Sequence, residues 1–372
     1  MKVSFSKPER NVEVITAEMN TSGQYQAITL QRRIKMPDYV DTMMYVGEMP
    51  WHKQGVMVKD APTIKDAIEL AGLNWEVKKA PTYFKQNIGR NFLRFSGVEK
   101  ETGHYVTYRT DRNEPLGNVS GRYEILQNRD AFEPFEPMLD MGFSIETAGA
   151  VQKGRKIWVL AKAPDQYTVG DDKINRYVFM FTSHDGSTGN CFRDTMIRIV
   201  CYNTLDYALS KKGTFEYSLK HTSSIKQRVM NLKETIAESE GNFAKAIESM
   251  NRFQDIELND HTLNLYLETV IPFLKNRNKE SIPEKGIFVR NTAKPVYDRL
   301  VHLYRKGQGN KGKTLWDAYN AVTEYYTHDK QYKDWVQATQ FGKPYDYKVT
   351  AYKVAEQFSN SYHTEAGPVY YS

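Results

Sequence analysis

Cysteine is nearly absent from this 372-residue chain, which has only Cys191 and Cys201. Two thiols cannot build a disulfide framework or a four-ligand zinc site. Their place in a strand-like segment suits small buried side chains in a reducing compartment. Long apolar runs are missing too. None approaches the ~20 residues that span a bilayer, and the opening MKVSFSKPERNVEV lacks the apolar stretch of a secretory signal. There is no internal repeat, no low-complexity tract, no H-E-x-x-H, no pair of histidines at helical spacing and no carboxylate triad. The expectation is a cytoplasmic globular protein with no membrane association, no cofactor and no metal.

What is present is ordinary in bulk and uneven in detail. Apolar residues make up 40% and charged residues 26%, a globular rather than a disordered balance. The length allows two domains of about 100–200 residues or one large one. Aromatics reach 13%, supplying large rings for cores, interfaces or base stacking.

The net charge of +6 is concentrated. Residues 272–313 carry eleven basic side chains (Lys275, Arg277, Lys279, Lys285, Arg290, Lys294, Arg299, Arg305, Lys306, Lys311 and Lys313) against Glu280, Glu284 and Asp298. That stretch is therefore +8, and everything else sums to −2. A second cluster, Lys211, Lys212, Lys220, Lys226, Arg228 and Lys233, is opposed only by Glu216. Concentrated positive charge attracts a polyanion by releasing its condensed counterions. The alternative is a solvated helix face whose balancing acids the fold supplies.

Along the chain, residues 1–40 are polar without sustained periodicity and read as an N-terminal arm. Residues 41–221 read as an α+β core domain, antiparallel and β-rich with short helices. Thr63 and Asp66 have the spacing of a helix-start capping arrangement, and Gly72 is a natural stop. NFLRFSGV and GHYVTYRT read as hairpin arms around Glu99–Gly103, and Tyr123–Leu126 as a short strand. DAFEPFEPMLDMG reads as a helix with an internal proline. FSIETAGAVQKGRKIWVLAKAP turns near Gln152–Gly154, and two long strands are joined by HDGSTGN. Asn203 and Thr204 have the chemistry to start a following helix.

From 222 to 330 the period becomes helical. Ile225, Val229, Leu232, Ile236, Phe243, Ala246 and Met250 are spaced by fours and threes, a heptad-like seam packing within the chain or against another subunit. LNLYLETVIPFLKN, TAKPVYDRLVHLYRK and TLWDAYNAVTEYYTH read as three further helices. Residues 331–372 form an aromatic-rich C-terminal extension, packing onto the body or onto a neighbour.

Three features bear on chemistry. GQGNKGKT (307–314) matches the phosphate-loop letters, but the segment before it is helical, whereas a phosphate loop follows a strand. Lys311 and Lys313 remain available as loose phosphate contacts. His184 and Asp185 lie at a strand-to-strand turn, either as turn residues or, with His52 or His221, as metal ligands. Arg193 and Arg198 sit on the strand after it. Five residues apart, they fall on opposite faces by ideal alternation. Either at least one projects onto a solvent-facing sheet surface with Tyr123, Tyr177 or Phe192, or they pair across strands with Asp185, Asp194 and Glu146. Trp51 and His52 read as a plug and a structural histidine.

PWHKQG (50–55), GRYEILQNRDAFEPFEPML (121–139), ETAGAVQKGRKIWVLAK (146–162), SHDGSTGNCFRDTMIRIVCYNTL (183–205), LKHTSS (219–224) and KGKTLWDAYNAVTEYYTH (311–328) together resemble the phage/plasmid-like protein family, domain of unknown function 932. The resemblance implies a phage or mobile-element setting in a bacterial cytoplasm and brings no established catalytic residues. The first expectation is a non-catalytic nucleic-acid-binding protein, a homo-oligomer acting on single-stranded DNA in replication, recombination or genome protection. Its contacts would be Arg193, Arg198, Lys226, Arg228, Arg290, Lys294, Arg299, Arg305, Lys306, Lys311 and Lys313. The alternatives are an interaction protein for a host or phage partner, countering host defence or scaffolding assembly, and a metal-dependent enzyme centred on His184 and Asp185.

Overall fold

A computed structural model describes residues 11–19, 25–33, 40–47, 55–87, 97–198, 203–205, 216–219, 232–274, 293–332, 338–339 and 342–363. The chain divides into two compact units that interleave along the sequence. One comprises Met1–Lys162, Val178–Arg193 and Glu216–Thr235; the other Ala163–Tyr177, Asp194–Phe215 and Ile236–Ser372. The α+β class is borne out, with a β-rich N-terminal region and a helical C-terminal region.

Strands β1 (Asn11–Met19), β2 (Tyr25–Arg33), β3 (Val40–Val46), β4 (Val56–Val58), β8 (Ser144–Val151), β9 (Lys156–Val169), β10 (Asp172–Ser183), β11 (Asn190–Arg198), β12 (Asn203–Leu205) and β13 (Glu216–Leu219) make one ten-stranded sheet. Its order is β12-β11-β10-β9-β8-β3-β4-β1-β2, with β13 also paired to β11. The turn from β8 to β9 falls where expected, with left-handed Gln152, Lys153 and Gly154 (φ 54°, 65° and 92°). The HDGSTGN turn joins β10 to β11. Strand β10 is buried at every residue from Ile174 to Ser183, so both of its faces are covered.

β5 (Val77–Asn87), β6 (Gly97–Arg109) and β7 (Pro115–Ser120) form a separate three-stranded sheet. Here the sequence reading needs correction. β6 runs straight through Glu99–Gly103, and its hairpin partner is β5. Thr102-Gly103 resembles a turn, but Gly103, at φ 75°, lies opposite the register shift between Pro81 and Tyr83. A left-handed glycine serves a bulge as well as a turn. Tyr123–Leu126 is not a strand. Asn203 and Thr204 lie on β12 and pair with β11, and the helix expected after them falls outside the described residues. Within the supposed arm, β1 and β2 form a hairpin whose β1 pairs in parallel with β4.

Local helix signals are reliable. Thr63 caps α1 (Ile64–Leu70) by accepting the Asp66 N–H, and Gly72 follows at φ 64°. The proline-containing helix is broken into α2 (Asn128–Phe132), a 3-10 turn and α3 (Glu136–Asp140), with prolines opening the second and third pieces.

The helical unit contains most of α4 (Leu232–Gln254), then α5 (Asp260–Val270), α6 (Lys294–Lys306), α7 (Leu315–Glu324) with a π-turn over Tyr325–Asp329, and α8 (Lys343–His363). The described end of the seam, Phe243, Ala246 and Met250, is fully buried within this unit's core. Ala351, Tyr352, Val354 and Ala355 of α8 belong to the same core. Among the described residues, no helix is long and apolar enough to cross a membrane.

Candidate nucleic-acid interface

Helix α6 is amphipathic: Tyr297, Leu300, Leu303 and Tyr304 are buried at helical spacing. Lys294, Arg299, Arg305 and Lys306 are consequently exposed, and Lys311 and Lys313 are exposed on the loop that follows. Six of the proposed contacts thus lie on one helix and its adjoining loop.

The fold also supplies acids. Lys294 pairs with Asp298 one turn on (2.8 Å), Arg299 Nη2 with Asp329 (2.8 Å), Arg305 with Asp260 (3.3 Å) and Lys311 with Asp171 (3.2 Å). Three of these acids come from outside the basic stretch, as the solvated-face alternative requires. Lys306 and Lys313 have no carboxylate partner among the described residues. The four pairs are exposed on at least one side, and exposed pairs contribute about 0–1 kcal/mol, so they exchange readily for another anion.

The phosphate-like loop already holds an anion of its own. Asp317, in the first turn of α7, accepts the backbone N–H groups of Lys311 (3.1 Å), Lys313 (2.9 Å) and Thr314 (3.1 Å), and the Thr314 hydroxyl (3.2 Å). Thr314 in turn caps α7 through the Asp317 N–H (3.3 Å). The amides that would face a phosphate face this carboxylate. T-x-x-D at 314–317 is a helix-start signal, so this anchor was visible in the sequence.

The expected open sheet face is a second correction. Arg193 is only 2% exposed, with its guanidinium 5.3 Å from the centre of the Phe179 ring. Phe192, Tyr177 and Tyr123 are buried as well. The physical reason is that β11, like β10 beside it, is buried at consecutive residues, from Asn190 to Met196, so both of its faces are covered. Asp194 pairs with Arg176 through two hydrogen bonds of 3.1 and 3.2 Å. Arg198 is the last residue of β11. Lys226, Arg228 and Arg290 lie outside the described residues, as do Trp51, His52 and His221.

His184 is fully buried. Its Nε2 lies 2.8 Å from Asn128 Oδ1, its ring meets Trp75 edge-on at 5.4 Å, and its carbonyl accepts the Thr107 hydroxyl at 2.6 Å. Asp185 accepts the Ser187 N–H within the turn (2.8 Å). Among the described residues, no group of three His, Cys, Asp or Glu side chains is placed to hold a metal ion. Nearby, buried Arg109 stacks 4.2 Å from the Trp75 ring centre and pairs with Asp41 and Asp111. No sequence spacing announced that cluster.

The architecture is that of an α+β protein whose helical unit carries a basic helix and loop. The chain belongs to the family described as a domain of unknown function (DUF932), whose model matches residues 115–349. No curated protein and no solved structure matches the chain.

Proposed function

We propose that this protein binds nucleic acid, with single-stranded DNA as the preferred form, through α6 and the loop joining it to α7, and that it does so without catalysis. The carrying observation is the concentration of six exposed basic side chains on that helix and loop, two of them, Lys306 and Lys313, with no carboxylate partner among the described residues. Phosphates entering here displace weak exposed pairs and release counterions, so affinity falls steeply with salt. A role in phage or plasmid replication, recombination or genome protection follows from the family resemblance. Arg193 is left out of the interface because it is buried.

The test is a titration of the full chain against single- and double-stranded oligonucleotides over a salt series. K306E/K313E should weaken binding at least tenfold. It should also flatten the logarithmic salt slope by about 1.4–1.8, the amount expected for two lost phosphate contacts. Unchanged affinity and slope would overturn the reading.

A further inference from the structure

β7 pairs only with His104–Tyr108 of β6. From Tyr83 and Glu101 outward, the described backbone is therefore a two-stranded ribbon of β5 and β6, with β5 at the sheet edge. A two-stranded ribbon is marginal in water because it buries little apolar surface. This one nevertheless carries Tyr83 at 55% and Phe84 at 50% exposure.

Consecutive strand residues point to opposite faces, so each face of the ribbon shows one ring. Directly opposed residues share a face, which places Glu101 beside Tyr83 and Lys100 beside Phe84, all four exposed. One face is a ring with a carboxylate; the other is a ring with an ammonium. The inner part of the β5 edge is guarded by Pro81, which has no N–H, and by the register shift after it. Its outer part has no proline.

We propose that this ribbon is a self-association arm, occupied by the ribbon of a second copy of the chain. The Phe84–Lys100 face of one copy packs on the Tyr83–Glu101 face of the next. The opposite charges single out this occupant: a polyanion gains at Lys100 but is repelled at Glu101, whereas a second ribbon offers the complement of both faces. Because the two faces differ, the contact is heterologous and propagates into a closed ring or a filament instead of stopping at a two-fold pair. It is independent of nucleic-acid binding by the helical unit.

Sedimentation velocity on the full chain, over a concentration series, tests this. The wild type should show species larger than the monomer, and Y83S/F84S should sediment as a monomer with unchanged circular dichroism. K100E should weaken assembly by opposing like charges, and K100E/E101K should restore it by exchanging them. A wild type that stays monomeric, a Y83S/F84S variant that assembles normally, or a charge exchange that restores nothing would each overturn the proposal. Loss of oligonucleotide affinity in Y83S/F84S with assembly intact would also overturn it, and would make nucleic acid the occupant. K306E/K313E should assemble like the wild type, so the two readings fail separately.

Discussion

Asp317 Oδ1 accepts the backbone N–H of Lys311 at 3.1 Å, closing a phosphate-loop sequence on a carboxylate of the helix that follows it. Its other oxygen takes the N–H groups of Lys313 and Thr314. Removing the carboxylate leaves three loop amides unsatisfied and weakens the start of α7. Asp317→Ala should lower stability by about 2–3 kcal/mol, a lost cap plus unmade hydrogen bonds. The readout is a reduced urea midpoint at constant slope. A midpoint equal to wild type would mean that the cradle is incidental.

Arg176 and Asp194 are both buried and joined by two hydrogen bonds. Truncating one partner strands the other charge, and such losses cost about 3–5 kcal/mol. Arg176→Ala should therefore be severely destabilised in thermal melts. Arg176→Met combined with Asp194→Leu removes both charges at similar volume and should recover most of the loss. Equal damage in the single and double variants would rule out the stranded charge as the cause.

Gly117 on β7 lies so close to the His184–Ser187 turn that a Cβ there would sit 2.6 Å from the Cα of Asp185. The obstacle is backbone, so it cannot swing aside. Gly117→Ala should cost about 1–3 kcal/mol or more by overpacking. Hydrogen exchange should quicken first in β6, β7 and the turn; protection equal to wild type there would contradict the clash.

Burial pushes the hydroxyls of Tyr297 and Tyr304, on the inner side of α6, up to about 12. Their unfolded value is near 10. Between these values the unfolded chain loses protons that the folded chain keeps. The stabilising contribution is thus complete below about pH 10 and is lost as pH rises through the folded values. Urea unfolding should show a fall in stability across that window. Tyr297→Phe and Tyr304→Phe should each reduce it; a fall of unchanged size in both would mean that other groups cause it.

Patterns that act over a few residues were legible. Thr63 capping α1, the Gln152–Gly154 turn, the prolines dividing α2 from α3 and the spacing that buries Tyr297, Leu300 and Leu303 depend on neighbours within a turn or two. The β5–β6 pairing was not, because Thr102-Gly103 satisfies a turn and a bulge equally, and only the partner strand decides between them. Arg193 misled for a related reason. Alternation along β11 cannot tell whether the polar face meets water or another layer.

The sequence alone determined the α+β class, the helical C-terminal half, the concentration of positive charge over 272–313 and the absence of a phosphate loop after a strand. These follow from composition and short-range periodicity. Tertiary structure decided which charges are matched and which are not. Asp171, Asp260 and Asp329 reach Lys311, Arg305 and Arg299 only because the fold brings distant segments together. It also closed both faces of β11 over Arg193 and left Tyr83 and Phe84 exposed. Burial and ion pairing depend on which segments meet, and a linear charge count carries no information about that.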